Sequence, residues 1–254
     1  MNENELLNAS VELGSRLLEC GGEVYRVEES VQRILDAYGV QGAEVFAIQS
    51  CIIVSFLSQE GKSLSRMRRV HPATINLELV DRYNDLSRRI CRDTPEISVI
   101  LQELERVAAT RTYGLAIQIF AYALISFSFT LFWGGTLADA LCSILGGAAI
   151  KLVLWQMGRF QTNSFFTNIV ATAAAAFLAL LTVRLGWAVH SDKMIIGMLM
   201  NLVPGVAITN VMRDVIAGDI LCGLTKMTDS LLVATAMALG AGLAISIFRF
   251  LWGV

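Results

Sequence analysis

The second half of this chain is built from apolar runs as long as a bilayer is thick. A helix rises about 1.5 Å per residue, so about 20 apolar residues cross the hydrocarbon layer. Residues 112–132, 137–157, 165–187 and 230–251 each meet that length, and 194–211 supplies a fifth run that is interrupted. Backbone N–H and C=O groups in hydrocarbon need partners within the segment, so these runs are expected as helices. Charge divides the chain in the same place. Residues 1–111 hold 13 Lys+Arg and 17 Asp+Glu, out of 20 and 22 in all 254 residues. With 55% hydrophobic residues and a mean hydropathy of +0.59, the whole is too apolar for an ordinary soluble domain. The pattern predicts an α-helical membrane protein with about five transmembrane helices in 112–254, preceded by a small α+β cytoplasmic domain in 1–111.

The interrupted run carries the densest polar group of the membrane half. From 199 to 219 it reads LMNLVPGVAITNVMRDVIAGD. Pro204 has no N–H to give the carbonyl of Met200, and Gly205 beside it makes a bend cheap. Broken helices are tolerated in membranes where they line a cavity. As a helix start, Pro204 leaves positive dipole at the N-terminus of the half that follows, which suits a carboxylate. Thr209/Arg213 and Asn210/Asp214 are each four apart and share one face, with Asp219 beyond them. The plainer reading is a packing kink followed by a charged cap. Intramembrane polar groups mark pathways by default, which favours function. Lys151 lies within the second run, with Gly146-Gly147 a turn earlier. It either pairs with an acid or an anionic cargo, or snorkels to the surface. Asp139 and Arg184 are expected at span ends.

The charged first part reads as helices around a small sheet. Leu6, Leu7, Val11, Leu17 and Leu18 recur at helical spacing before Cys20-Gly21-Gly22, and Val24, Val27, Val31, Ile34 and Leu35 do so before Gly39. Residues 44–49, 52–57 and the run into Arg66 to Val70 predict two or three strands, with a turn at 59–62. Further helices are expected over 73–91 and 96–110. Arg66, Arg68 and Arg69 read as a solvated strand face. Gly22, Glu23, Tyr25, Arg26 and Glu28 form the one dense polar motif here. Arg26 there is placed to clamp a carboxylate with Glu23 or Glu28 orienting it, or the glycines end one helix and the glutamates favour the dipole of the next.

Other chemistry lacks material. The chain has only His71 and His190, and no GxxxxGK[ST] or GxSxG, so no catalytic residue, metal site or cofactor is expected. Five scattered cysteines without a CxxC read as core fillers in a reducing compartment. A net charge of −2 without a basic stripe argues against nucleic acid. The first residues lack the basic and apolar regions of a cleavable signal. Arginines 82, 88, 89, 92, 106 and 111 before the first run place the head in the cytoplasm by the positive-inside rule, and five spans then put Val254 on the other side.

Two stretches resemble the threonine/serine exporter family. One is Gly21-Gly22-Glu23 with Tyr25-Arg26-Val27-Glu28 and Gly39-Val40. The other is Leu202-Val203-Pro204-Gly205 with Asn210, Arg213-Asp214 and Gly218-Asp219. Fused family members carry a further membrane region that is missing here, so the chain resembles the larger half of a split bacterial inner-membrane exporter associated with succinate. The resemblance implies a small integral-membrane second subunit as partner, and a small carboxylate or amino acid as cargo: a C4-dicarboxylate such as succinate, or threonine and serine. The absence of a nucleotide motif points to an ion or proton gradient. The reading from another class is a membrane-tethered metabolite-sensing or enzymatic head.

Overall fold

The computed structural model describes residues 2–71, 75–110 and 113–252, the side chain of residue 217 excepted. Residues 73, 111, 112 and 254, used above as element ends or charges, lie outside the described residues. The chain is mostly helical, with one three-stranded sheet between its second and third helices. It divides into two compact units, residues 1–111 with 209–225, and residues 112–208 with 226–254.

In the first unit, α1 (Glu3–Glu19) is capped by Asn2 and ends where Gly21 takes φ +88°. Helix α2 (Val24–Ala37) ends before Gly39 at φ +82°, again a conformation that costs glycine little. A two-residue turn joins β1 (Glu44–Ile48) to β2 (Cys51–Leu57), and β3 (Ser63–Arg69) pairs antiparallel on the far side of β2. Ile52, Val54 and Phe56 alternate inward on β2, where they meet the apolar stripes of α1 and α2. Helices α3 (Leu77–Asp93) and α4 (Ile97–Ala108) close the core with Tyr83, Ile90, Ile100 and Leu104. Cys20 and Cys222 fill the same core.

The three strand arginines are not one solvated face. Strand alternation puts Arg66 and Arg68 on the side of Ile52 and Val54, and Arg69 on the other. Arg68 thereby reaches across the sheet to an ion pair with Glu12 of α1.

Among the described residues four helices, where about five are expected, are each long and apolar enough to cross a membrane: α5 (Leu115–Phe132), α6 (Leu137–Arg159), α7 (Ser164–Arg184) and α10 (Ile220–Trp252). The interrupted fifth run is two short helices, α8 (Ser191–Leu199) of 9 residues and α9 (Gly205–Ala217) of 13. Neither reaches the 20 or so residues a span needs, because the chain between them turns instead of continuing. Helix α10 begins ten residues before the expected start, since no proline lies between Ile220 and Trp252 to stop it.

Small residues govern packing in the second unit. The buried stripes are Ala123, Ser126 and Thr130 on α5, Ala140, Ser143, Gly146 and Gly147 on α6, and Ala171, Thr172, Ala175, Ala176 and Ala179 on α7. Without a hydrophobic drive between helices in lipid, close backbone approach is what holds such a bundle. On Gly147 a Cβ would collide with the Tyr122 carbonyl and Ser126, and on Gly240 of α10 it would meet Thr172 at 2.8 Å.

Gly22 offers a direct check of the junction between α1 and α2. A Cβ there would stand 2.8 Å from the Leu17 carbonyl oxygen, which already accepts the Gly22 N–H. Since the obstacle is backbone, Gly22→Ala should destabilise the first unit by about 1–3 kcal/mol. A thermal midpoint equal to wild type in the same detergent would show that the junction is looser than described.

Candidate functional site

The polar groups singled out in the sequence gather in two places, one in each unit. In the first, the glycine end of α1 sets the start of α2, so that Glu23 lies at its N-cap with Tyr25 and Arg26 in its first turn. The Glu23 carboxylate is 16% exposed and meets two guanidiniums. Arg26 approaches one oxygen at 2.7 Å, and Arg213 of α9 pairs with the other. Arg26 also donates through Nε to the Tyr25 hydroxyl at 3.0 Å. Two motifs 190 positions apart are thus joined by one carboxylate.

Glu28, a turn further along α2, accepts the Ala47 N–H at 2.7 Å and ties the helix to β1. Burial pushes its carboxyl above the usual range, the Ala47 hydrogen bond opposes this, and the charge of Asp219 adds to the rise. Asp219 stands where Gly218, at φ +98°, turns the chain from α9 into α10. Asp214 is fully buried, whereas Thr209 is exposed and Asn210 half-buried. Arg213 and Asp219 therefore belong with the motif of α2, and Asp214 falls in the same compact unit.

Pro204, Gly205 and Lys151 belong to the second unit. Helix α8 ends in a tightened turn, Leu202 N–H to Leu199 carbonyl at 2.8 Å, and the Pro204 carbonyl accepts the Ile208 N–H at 3.0 Å to open α9. Pro204 is thus the residue just before the helix start, where its missing N–H is harmless. Asn201 holds the turn. Its Nδ2 donates to the Ser126 hydroxyl at 2.8 Å, the Met198 carbonyl at 3.0 Å and the Tyr122 carbonyl at 3.3 Å. Two carbonyl partners fix the amide orientation, because a carbonyl only accepts. Asn201 Oδ1 is buried and has no hydrogen-bond partner among the described residues. Lys151 places Nζ 5.2 Å from the centroid of the Tyr122 ring and makes no ion pair among the described residues. Tyr122, Ser126, Lys151 and Asn201 thereby converge where α8 gives way. Asn201 was overlooked in the sequence, although an amide inside LMNLVPG is the same signal that marked Asn210.

Asp139 stands at the start of α6, the span end where it is expected, and is fully buried there. It accepts the Thr136 N–H and hydroxyl, both at 2.8 Å, closing a capping box at the start of α6, and it binds the Val189 and His190 N–H groups at 2.6 and 3.1 Å. His190 Nδ1 donates to the same carboxylate at 2.9 Å. Five donors on one carboxylate anchor the entry to α8. Asn163 caps α7, and the Arg184 guanidinium lies 5.7 Å from the Trp252 ring centroid.

Glu28 gives a pH test of the first cluster. Its folded-state pKa lies above the ordinary 4.5, so the folded chain holds this proton more tightly than the unfolded chain. The stability it contributes is complete at low pH and is lost as pH rises through the interval above 4.5. Relative to Glu28→Gln, wild type should therefore lose thermal stability as pH rises above the ordinary carboxylate range. Parallel profiles for the two proteins would contradict this placement.

Searches of the curated proteins and of the solved structures found no match. The family model ThrE, described as a threonine/serine exporter, matches residues 8–248. Four apolar helices and a transporter family make this a multi-pass membrane protein. The match takes in α9, the motif of α2 and the Lys151 cluster alike, and on it the chain belongs to the threonine/serine exporter family.

Proposed function

We propose that this protein is a subunit of a gradient-driven secondary exporter of small carboxylates in a bacterial inner membrane, carrying a C4-dicarboxylate such as succinate together with a small second membrane protein. The observation that carries this reading is Lys151: a half-buried ammonium beside the break after Asn201, held over the Tyr122 ring and matched by no carboxylate among the described residues. An uncompensated cation inside a spanning helix is costly, and an anionic cargo group lowers that cost. Asn201 and Ser126 supply neutral polar groups beside it. The arginine-rich stretch before α5 supports a cytoplasmic first unit.

Threonine or serine is the second reading, and the description of the matching family favours it. Both readings share the carboxylate at Lys151. Asp214 and Asp219 stand in both as candidate proton carriers, and Thr209 and Asn210 as groups of the path.

Counterflow in vesicles separates the cargoes. Vesicles holding this chain with a candidate partner should accumulate labelled succinate, and Lys151→Ala should lower the rate by about tenfold or more at equal protein content. Lys151→Arg should retain part of it. Exchange of threonine but not succinate establishes the second reading, and a Lys151→Ala rate equal to wild type with either cargo contradicts both.

A further inference from the structure

Helices α2 and α3 of the first unit enclose a groove of about 630 Å³ that the exporter reading does not use. Its walls are set by helical spacing. Arg26, Ser30 and Arg33 follow at i, i+4 and i+7 along α2, and Asn84, Arg88 and Arg92 do so at i, i+4 and i+8 along α3. Four guanidiniums therefore border one space whose lining includes a single carboxylate, Glu29. That carboxylate is taken by Arg33 at 2.5 Å, Arg26 is held by Glu23 and Arg92 by Asp93, the last pair on the solvent side. Arg88 has no ion pair among the described residues and donates only to the Asn84 carbonyl, at 3.3 Å. Ser87 and Cys91 form part of the floor, and Tyr25 supplies an aromatic wall with the Arg26 guanidinium 5.8 Å from its ring centroid.

Three of these guanidiniums keep a carboxylate near them in sequence, as Arg82 keeps Glu78 outside the groove. Arg88 has none among the described residues, and with cations from two helices facing one space the groove holds a surplus of positive charge that an anion offsets. We propose that this groove binds a small polyanionic metabolite carrying two or more carboxylate or phosphate groups. Guanidiniums grip both groups bidentately, the serines and Asn84 add neutral hydrogen bonds, and the volume suits a ligand of nucleotide or tricarboxylate size. Arg26 also shares Glu23 with Arg213. A ligand that draws Arg26 into the groove leaves Glu23 to Arg213 alone, which links occupancy to the segment that follows the helix break.

Calorimetric titration of the full chain in detergent, with citrate in one arm and tripolyphosphate in the other, tests this without any transport measurement. At least one probe should bind saturably and weaken as salt rises. Arg88→Ala should lower that affinity by about tenfold, whereas Arg82→Ala, on the same helix outside the groove, should leave it unchanged. Arg88 is exposed, and an unshifted thermal midpoint confirms that its variant folds. Binding by citrate alone assigns a carboxylate ligand, and by tripolyphosphate alone a phosphate ligand. Absence of saturable binding in both arms, or binding that Arg88→Ala and Arg92→Ala leave intact, overturns the proposal and leaves the exporter reading where it stood.

Discussion

Hydrocarbon offers no hydrogen bonds, so every backbone N–H and C=O at that depth must find a partner in the protein. The bundle obeys this through α5, α6, α7 and α10, whose small-residue stripes let backbones approach. Between Leu199 and Gly205 the helix gives way to turns whose N–H groups still find nearby carbonyls, and side chains brace the stretch. Asn201 bridges α8 to α5, Gly197 and Gly146 admit their neighbours at close range, and Asp139 gathers the N–H groups of Val189 and His190 where α8 begins. A break braced from both ends is a fixed feature of the fold, and the cation of Lys151 stands beside the same residues of α5.

The second organising contact is the Glu23 carboxylate. It joins the start of α2 to α9 through Arg213, while Glu28 and Asp219 stand close enough for their charges to interact. Ion pairs this exposed are worth little in stability, typically under about 1 kcal/mol. Their value lies in register: Arg213 and Arg26 share one acceptor, so whatever moves one guanidinium alters the field at the other. Deep burial of Cys222 in the same core supports the grouping of residues 209–225 with the first unit.

Local chemistry was legible in the sequence and distant pairing was not. Glycines at 21 and 39 announced the ends of α1 and α2, and alternation at Ile52, Val54 and Phe56 announced β2, because each depends on neighbours a few residues away. The interruption of the fifth run was legible as well, because Pro204-Gly205 stops one helix and opens the next. Asp139 shows a different limit. The spacing Thr136-x-x-Asp139 displays a capping box, but the loop N–H groups that bury the carboxylate come from about 50 positions later. Likewise no periodicity encodes the meeting of Glu23 with Arg213. The family resemblance flagged both motifs, and only the coordinates joined them.

The proposed export path requires water beside the break before Pro204. Cysteine accessibility measures this directly: with Cys20, Cys51, Cys91, Cys142 and Cys222 replaced, single cysteines at Asn201, Pro204 and Lys151 are exposed to a membrane-impermeant thiol reagent in vesicles. The account predicts modification at these positions, slowed by the transported carboxylate, and none at Ala175 in the buried stripe of α7. Protection of all three positions from the reagent, with and without cargo, would contradict it.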